Sequence, residues 1–293
     1  MLLHMGKEIE DDANWLYEIK WDGWRIIIHK QGDRVEAYTR HGNNVTNRFP
    51  ELKDVGRSIL AHTAIIDTEG VVLRNGVSAF DDFAYRGRLT NTHKIQEAMI
   101  THPVTFIAFD VLYTDDGTHI NEPLLQRKER LVNLIQPSNV LMITPSVIGE
   151  GKHIFEITKE NKLEGVVGKK IDSIYQLNHR SADWLKFKHF KISAAVILGY
   201  KERPFQMIVG NYFKNGTLRA VATLEFGFKL EEKQAFKQIA QNIITKKEKD
   251  VTWLEPSLVC NVQYLEKTDN GKLRIASFKG FNFDKDPKDC FLN

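Results

Sequence analysis

The first half of the chain alternates short apolar runs with polar turns, a pattern that predicts β-strands. Residues 24–29 form an apolar run, residues 30–33 form a turn containing Gly32, and residues 34–38 alternate, so together they predict a β-hairpin. Residues 64–73 and 104–113 are rich in β-branched and aromatic side chains and predict two longer strands.

Helical patterns lie between and after these strands. Apolar residues recur at helical spacing in residues 89–100, 126–136 and 150–161, which predicts three helices. Antiparallel strands with interspersed helices favour an α+β fold over a doubly wound parallel sheet.

The pattern changes near residue 190. Short apolar segments separated by polar turns predict strands at residues 192–200, 207–213, 218–226, 258–265 and 273–278, with one helix at about 230–245. About five strands and one helix within about a hundred residues is the size of a small closed β-barrel of the OB type. We therefore expect two domains, residues 1–190 and 191–293, with the boundary near residues 188–193.

Charge is divided unevenly between these two segments. Residues 1–190 carry 24 Lys and Arg against 26 Asp and Glu, whereas residues 191–293 carry 17 against 12. A basic carboxyl-terminal third suits a module that contacts phosphates, although lysine-rich surfaces also serve solubility.

The small number of cysteines and the lack of a visible targeting signal argue against several classes of protein. Cys260 and Cys290 are the only cysteines, without a C-x-x-C pair or a His/Cys cluster at zinc spacing, so neither structural zinc nor a disulfide framework is expected. Residues 1–15 are polar and acidic and lack a signal-peptide core, and no apolar stretch approaches a membrane span. The sequence therefore predicts a soluble cytoplasmic protein.

The segment EIKWDGWR, residues 18–25, contains the most informative motif. Because glycine permits a tight turn, Lys20 and Arg25 are expected to face a common pocket. K-x-D-G alone also occurs in ordinary hairpin turns, but E-x-K-x-D-G-x-R is much rarer. The extended form resembles the first motif of the nucleotidyltransferase superfamily, which comprises ATP-dependent DNA ligases, RNA ligases and mRNA-capping guanylyltransferases.

Other segments resemble the remaining motifs of that superfamily, in the same order along nearly the whole chain. They are Arg40 with residues 46–52, DTEGVV at 67–72, FDVLY at 109–113, EGVVGK at 164–169, WLKFK at 184–188, and residues 274–281 leading into 284–287. The resemblance implies an adenylation domain with an antiparallel-sheet nucleotidyltransferase fold, followed by the OB-fold domain.

The resemblance also implies roles for individual residues. Lys20 would be the catalytic nucleophile that carries AMP, Phe109 would stack on adenine, and Glu69 and Glu164 would bind the metal, with a ribose contact at these acidic positions. The other implied nucleotide contacts are Glu18, Arg25, Arg40, Lys169, Lys186, Lys188, Arg274 and Lys285. The last motif departs from the family pattern, with Asn282 in place of an arginine and Ala276 in place of a proline.

These residue types suit attack on a phosphate. An amine is nucleophilic only when neutral, yet the ordinary pKa of lysine is about 10.4, so neighbouring cations, a metal ion and partial burial are expected to lower it. Lys186 and Lys188 alternate along a predicted strand and project to the same face, where they could favour neutral Lys20. Without Lys20 upstream, they would be an ordinary solvated strand end.

The function implied by the resemblance is that of an ATP-dependent DNA ligase, a phosphodiester-forming enzyme. Lys20 would attack ATP, AMP would pass to the 5′-phosphate at a nick, and the 3′-hydroxyl would displace AMP. The implied cofactors are ATP as AMP donor and Mg²⁺, with Mn²⁺ as an alternative. The expected partner is nicked duplex DNA, with a Ku-type end-binding protein as a further candidate, and we expect a monomer.

Two alternatives differ in measurable ways. An RNA ligase or capping guanylyltransferase would share the first motif, although RFPEL at residues 48–52 and FDVLY at residues 109–113 favour a DNA ligase. A non-catalytic DNA-binding module would keep the fold without the chemistry. Labelling of the protein from ATP, from GTP or from neither separates these hypotheses.

Overall fold

The computed structural model describes residues 1–268 and 270–291. The chain separates into two compact units, unit 1 (Met1–Lys188) and unit 2 (His189–Asn293). Asp269, Leu292 and Asn293, which belong to the predicted second domain, lie outside the described residues. Within the described ranges, no helix has both the length and the apolar character needed to cross a bilayer.

Unit 1 is an α+β structure built on two sheets. Its elements, in chain order, are β1 Leu2–Met5, β2 Trp15–Ile19, β3 Trp24–Gln31, β4 Arg34–Thr39, α1 Leu52–Ser58, β5 Thr63–Arg74, β6 Val77–Ser78, α2 Phe80–Arg88, α3 Thr92–Thr101, β7 Val104–Thr114, β8 Gly117–Thr118, α4 Leu124–Leu134, β9 Leu141–Ile143, β10 Ser146–Ile148, α5 Gly151–Glu160, β11 Gly165–Lys170 and β12 Arg180–Lys188.

The two sheets of unit 1 are mainly antiparallel. The first has the order β4-β3-β5-β7-β8, with β6 beside β5 and β9 parallel to β7. The second has the order β1-β12-β11-β2-β10, in which only the β1–β12 pair is parallel. The main core covers one face of the first sheet, where Ile26, Ile66 and Phe106 are fully buried. The α+β class predicted from the sequence is confirmed.

Unit 2 is dominated by antiparallel strands around a second core. Its elements are β13 Lys191–Glu202, β14 Phe205–Tyr212, β15 Leu218–Leu224, α6 Leu230–Ala240, β16 Ile244–Glu248, β17 Val251–Leu254, β18 Val259–Tyr264, β19 Glu266–Lys267, β20 Leu273–Arg274 and β21 Ser277–Phe281. The sheet order is β15-β14-β13-β17-β16, and β18 joins the long strand β13 to β21.

Several element boundaries differ from the sequence predictions for local reasons. The helix expected from residue 89 begins at Thr92, because the side chain of Asn91 caps it by accepting from the Lys94 N–H. The helix expected to reach residue 245 ends at Ala240, and residues 244–254 form the unpredicted β16–β17 hairpin, whose turn has Lys249 at φ 54°. The strand expected at residues 273–278 is broken at Ile275, where φ is 52°.

Candidate active site

Two glycines fix the backbone around Lys20. A Cβ atom on Gly23 would lie 2.1 Å from the carbonyl oxygen of Gly70, so β3 and β5 can pair here only if residue 23 has no side chain. The chain bends at Gly23, and the close approach of β5 is a second reason for a glycine at this position. Gly165, at φ 150°, is constrained similarly, because its Cβ would lie 1.9 Å from the Phe187 carbonyl oxygen. The carbonyl of Gly165 in turn accepts from the Lys20 N–H at 2.9 Å.

The predicted site residues of unit 1 gather around two neighbouring cavities that share Lys20, Arg25 and Glu69. The smaller is lined mainly by apolar side chains, and Glu18, Phe109, Trp184 and Lys169 also line it. The larger, about 560 Å³, is lined by the cations Arg40, Arg180, Lys186 and Lys188. The common pocket expected for Lys20 and Arg25 is confirmed. Arg274 and Lys285 belong to unit 2, where Arg274 forms an ion pair with Glu266 and Lys285 is exposed.

Lys20 is held by a carboxylate. Its Nζ lies 2.6 Å from Oε2 of Glu164, and the other carboxylate oxygen lies 2.5 Å from Nζ of Lys188. Burial would lower the pKa of Lys20, but the charges of Glu164 and Glu69 outweigh burial and raise it above 10.5. The expectation that neighbouring cations keep this amine neutral was therefore wrong, because the two carboxylates favour the ammonium.

Lys186 and Lys188 both line the larger cavity, as their alternation predicted. The pKa of Lys186 is lowered by burial and by the nearby charges of Lys188 and Lys20. Neighbouring cations were expected to lower the pKa of Lys20. They lower that of Lys186 instead, because the Glu164 carboxylate lies between Lys20 and Lys188.

Glu69 lies next to Lys20, and the pKa of its carboxyl group is strongly shifted. Burial, partly opposed by the charge of Lys20 and reinforced by that of Glu164, raises the pKa of Glu69 to about 8. Glu69 and Glu164 supply carboxylate oxygens of the kind that Mg²⁺ prefers. Across the described ranges of the chain, no group of three or more His, Cys, Asp or Glu side chains could hold a metal ion. A metal bound by these two carboxylates would complete its coordination with water and phosphate oxygens.

Arg25 is fixed by neighbours that the sequence did not indicate. Its Nε and Nη2 donate to the two carboxylate oxygens of Asp67 at 2.9 and 2.6 Å, and Nη2 also donates to the Tyr175 hydroxyl at 2.6 Å. Tyr175 donates to Asp67 at 2.7 Å, which closes a three-residue network. The guanidinium is therefore rigid, with one side over Phe109 at 5.7 Å.

At the smaller cavity, the buried ammonium of Lys169 lies close to the rings of Phe109 and Trp184. Nζ of Lys169 lies 4.6 Å from the Phe109 ring centre, 4.2 Å from that of Trp184 and 2.7 Å from Oε2 of Glu18. Burial lowers the pKa of Lys169 to about 8, although Glu18 opposes the shift. The other oxygen of Glu18 pairs with Lys128, a residue of α4 that no motif indicated.

Comparison with known proteins gives one family. Residues 2–188 match the model described as ATP dependent DNA ligase domain, and residues 202–285 match ATP dependent DNA ligase C terminal region. The chain is 32% identical to the SPbeta prophage-derived DNA ligase-like protein LigB of Bacillus subtilis, over 96% of this chain and 97% of that protein. It is 31% identical to the bifunctional non-homologous end joining protein LigD of the same organism, over 95% of this chain and 48% of LigD.

A solved structure gives the same result. The mycobacterial DNA ligase D complexed with ATP and MES is 27% identical, with a TM-score of 0.58, over 100% of this chain and 97% of that chain. A Lig E DNA ligase, at 18% identity and a TM-score of 0.63, shares the fold over 96% of this chain and 100% of that one. The chain spans about half or less of the length of the LigD relatives that it matches.

Proposed function

Because the chain belongs to the ATP-dependent DNA ligase family, we propose that it seals 5′-phosphate/3′-hydroxyl nicks in duplex DNA through an AMP carried on Lys20. One observation carries the proposal. The Lys20 amine lies where an aromatic cavity suited to a base meets a cationic cavity suited to phosphates. A nucleoside triphosphate spanning both cavities would bring its α-phosphate to Lys20.

In the first step the Lys20 nitrogen attacks the α-phosphorus of ATP, the N–P bond forms, and pyrophosphate leaves. The ammonium must first leave Glu164 and give its proton to solvent. Lys188 also holds Glu164, and triphosphate oxygens compete for these same cations, so ATP binding would rearrange the Lys20–Glu164–Lys188 contacts. Lys186 and Arg40, which line the larger cavity, would neutralise charge on the phosphates.

Glu69 and Glu164 would hold Mg²⁺, or Mn²⁺ in its place, together with phosphate oxygens. The metal supplies charge neutralisation and Lewis acidity at the reacting phosphate. Its positive charge would also oppose the effect that the two carboxylates have on the pKa of Lys20, which makes the neutral amine easier to reach.

The nucleoside would occupy the smaller cavity. Phe109 lines this cavity and would stack on the base, and Glu18 and Lys169 would offer an acceptor and a donor to its edge. Arg25, held by Asp67 and Tyr175, would contact the ribose or phosphate side.

In the remaining steps AMP passes from Lys20 to the 5′-phosphate of a nick, and the 3′-hydroxyl then displaces it. We assign unit 1 as the adenylation domain and unit 2 as the OB-fold domain. By family resemblance, Arg274 and Lys285 of unit 2 would contact the β- and γ-phosphates during the first step. Asn282 cannot supply the positive charge of the arginine usual at its position, because its amide is neutral and donates to the side-chain oxygen of Asn261 at 3.0 Å.

The test separates covalent labelling from strand joining. Wild-type protein is incubated with α-labelled ATP and Mg²⁺, and in parallel with α-labelled GTP, and labelled protein is counted after denaturation. We expect label from ATP on the wild type and none on Lys20→Arg, which keeps the cation for Glu164 but removes the nucleophile. Lys20→Arg should still join a nick that already carries AMP on its 5′-phosphate, because that step needs no lysine nucleophile. Equal labelling of both proteins would reject Lys20 as the carrier.

The biological setting is a separate proposal. Relatives named for non-homologous end joining support a role in DNA repair and a Ku-type partner, and we propose a monomer acting on DNA in the cytoplasm. Light scattering with and without nicked DNA, followed by sealing assays with and without a Ku-type protein, tests these points. A stable dimer, or no stimulation of end joining, would contradict them.

A further inference from the structure

Lys128 is a buried lysine that the proposed mechanism does not use. It lies on α4 with 7% of its surface exposed, and its ammonium pairs with Oε1 of Glu18. Glu18 is itself 2% exposed, and its other oxygen lies 2.7 Å from Nζ of Lys169. One buried carboxylate therefore lies between two buried cations. Among the described residues, Lys128 forms an ion pair with Glu18 alone.

Lys128 does not line the smaller cavity, in which the nucleoside is proposed to bind, and it contacts the residues around that cavity through Glu18. Glu18, Lys169, Phe109 and Trp184 line that cavity, whereas Lys128 lies behind Glu18 and does not. Direct contact of Lys128 with a bound nucleotide is therefore excluded by position. Its influence must act through Glu18, which it contacts, and through its charge, which helps to lower the pKa of Lys169. Burial raises the pKa of Glu18, but the charges of Lys128 and Lys169 outweigh burial and lower it.

The pair of groups facing the cavity has a defined hydrogen-bonding order. An ionised carboxylate only accepts hydrogen bonds, and a lysine ammonium only donates them. Glu18 beside Lys169 therefore complements a base edge with a donor next to an acceptor, as in the 6-amino group and N1 of adenine. Hypoxanthine in the same pose offers a carbonyl oxygen and an N1–H, so both contacts become repulsive.

Building on the proposed function, we propose that Lys128 is a positioning residue that holds Glu18 as an oriented carboxylate and thereby sets the preference for a 6-aminopurine nucleotide. Without Lys128, Lys169 is the one remaining ion-pair partner of Glu18 within the described residues. Glu18 can then turn toward Lys169 or take up a proton, and either change weakens Glu18 as the acceptor for the 6-amino group. The discrimination at position 6 of the base falls, while the distance of Lys20 from the α-phosphate is unaffected.

The experiment measures self-adenylation with ATP and self-inosinylation with ITP, which differs from ATP at the base edge alone. Wild type, Lys128→Met, Lys128→Arg and the control Glu129→Gln are compared, because Glu129 is exposed on the same helix. For Lys128→Met we expect the KM for ATP to rise about tenfold, the KM for ITP and both kcat values to change little, and the ATP-over-ITP preference to fall about tenfold. Lys128→Arg should retain most of the preference, and Glu129→Gln all of it.

A double-mutant cycle checks that Lys128 acts through Glu18. In a Glu18→Gln background, Lys128→Met should leave the ATP-over-ITP ratio unchanged. If Lys128→Met does not fold, as judged by circular dichroism, Lys128→Gln takes its place because it keeps a donor without the charge. An unchanged ratio in a folded neutral variant, or equal losses for ATP and ITP, overturns the proposal. A wild-type chain that is labelled by neither nucleotide would instead overturn the proposed function.

Discussion

Replacing Glu69 with glutamine should make unit 1 more stable, and increasingly so at higher pH. The ordinary pKa of this carboxyl is 4.5, and burial raises it to about 8 in the folded chain. The folded state therefore holds a proton that the unfolded state releases between these two values. The stability associated with Glu69 is fully present below pH 4.5 and is lost as the pH rises to about 8. Glutamine does not titrate, so Glu69→Gln avoids that loss.

The magnitude follows from the width of this interval. Each pH unit between the two pKa values contributes about 1.4 kcal/mol, which gives an upper limit of about 5 kcal/mol above pH 8. Glu69 borders both cavities and is only partly buried, so water screens part of the effect. We expect Glu69→Gln to be about 2–4 kcal/mol more stable than the wild type at pH 9. For a unit of this size, at about 2–4 °C per kcal/mol, that difference corresponds to about 4–16 °C in Tm.

The assay is calorimetric melting at pH 5, 7 and 9 with a chelator present and no nucleotide. The difference in Tm between Glu69→Gln and the wild type should be near zero at pH 5 and should grow through pH 7 to pH 9. Glu129→Gln, which removes an exposed carboxylate, should stay within about 0.5 kcal/mol of the wild type throughout. A Glu69→Gln protein that melts at or below the wild-type temperature at pH 9 would refute the reasoning. Loss of labelling in the same variant would show that the charge is kept for function at a cost in stability.

Three further predictions concern the chemistry, the core and DNA binding. Because the charges of Glu164 and Glu69 raise the pKa of Lys20 despite its burial, the neutral amine is scarce near neutral pH, and the initial labelling rate should rise with pH between 6.5 and 8.5. A flat profile with saturating ATP and Mg²⁺ would contradict this. Arg127→Met should lower the free energy of unfolding of unit 1 by about 3–5 kcal/mol, because it leaves the buried Asp110 without its partner at 2.8 Å. Arg130→Met, on the exposed side of α4, should lower it by less than about 1 kcal/mol. Urea titrations measure both values, and similar effects from the two variants would contradict the reasoning. Binding of nicked DNA should weaken steeply between low and moderate salt, as measured by fluorescence anisotropy, and a salt-independent Kd would argue against an electrostatic grip.

Much of unit 1 could be predicted because the relevant patterns are local. The β3–β4 hairpin, β5 and β7 follow from contiguous apolar and β-branched residues, and each was predicted within a few residues of its observed ends. Helix α2 was missed, and the β16–β17 hairpin was absorbed into a predicted helix that ends at Ala240. The α2 segment does carry Phe80, Phe83 and Ala84 at helical spacing, so its pattern was present and was overlooked. The β16–β17 segment is rich in lysine and lacks a clear period, so tertiary packing decides its conformation.

The grouping of the candidate residues around shared cavities could be predicted, whereas their mutual contacts could not. Sequence motifs brought together Lys20, Glu69, Phe109 and Lys169 as candidates, and these side chains do line shared cavities. The motifs gave no sign of the Tyr175 contact to Arg25, nor that Arg25 would be held by Asp67. Such pairs join residues far apart in the sequence, and no spacing rule connects them.

The sequence by itself determined which groups the protein has available for chemistry and the order in which the chain presents them. It did so because a candidate nucleophilic amine, two candidate acidic metal ligands and a set of candidate phosphate-binding cations are recognisable as residue types within short motifs. Tertiary structure alone decided the charge state of those groups. Lys20 is held as an ammonium by Glu164, Glu69 is driven toward its neutral form, and Lys128 secures Glu18, because electrostatic energy depends on burial and on distances of a few ångströms between strands and helices that are remote in the chain.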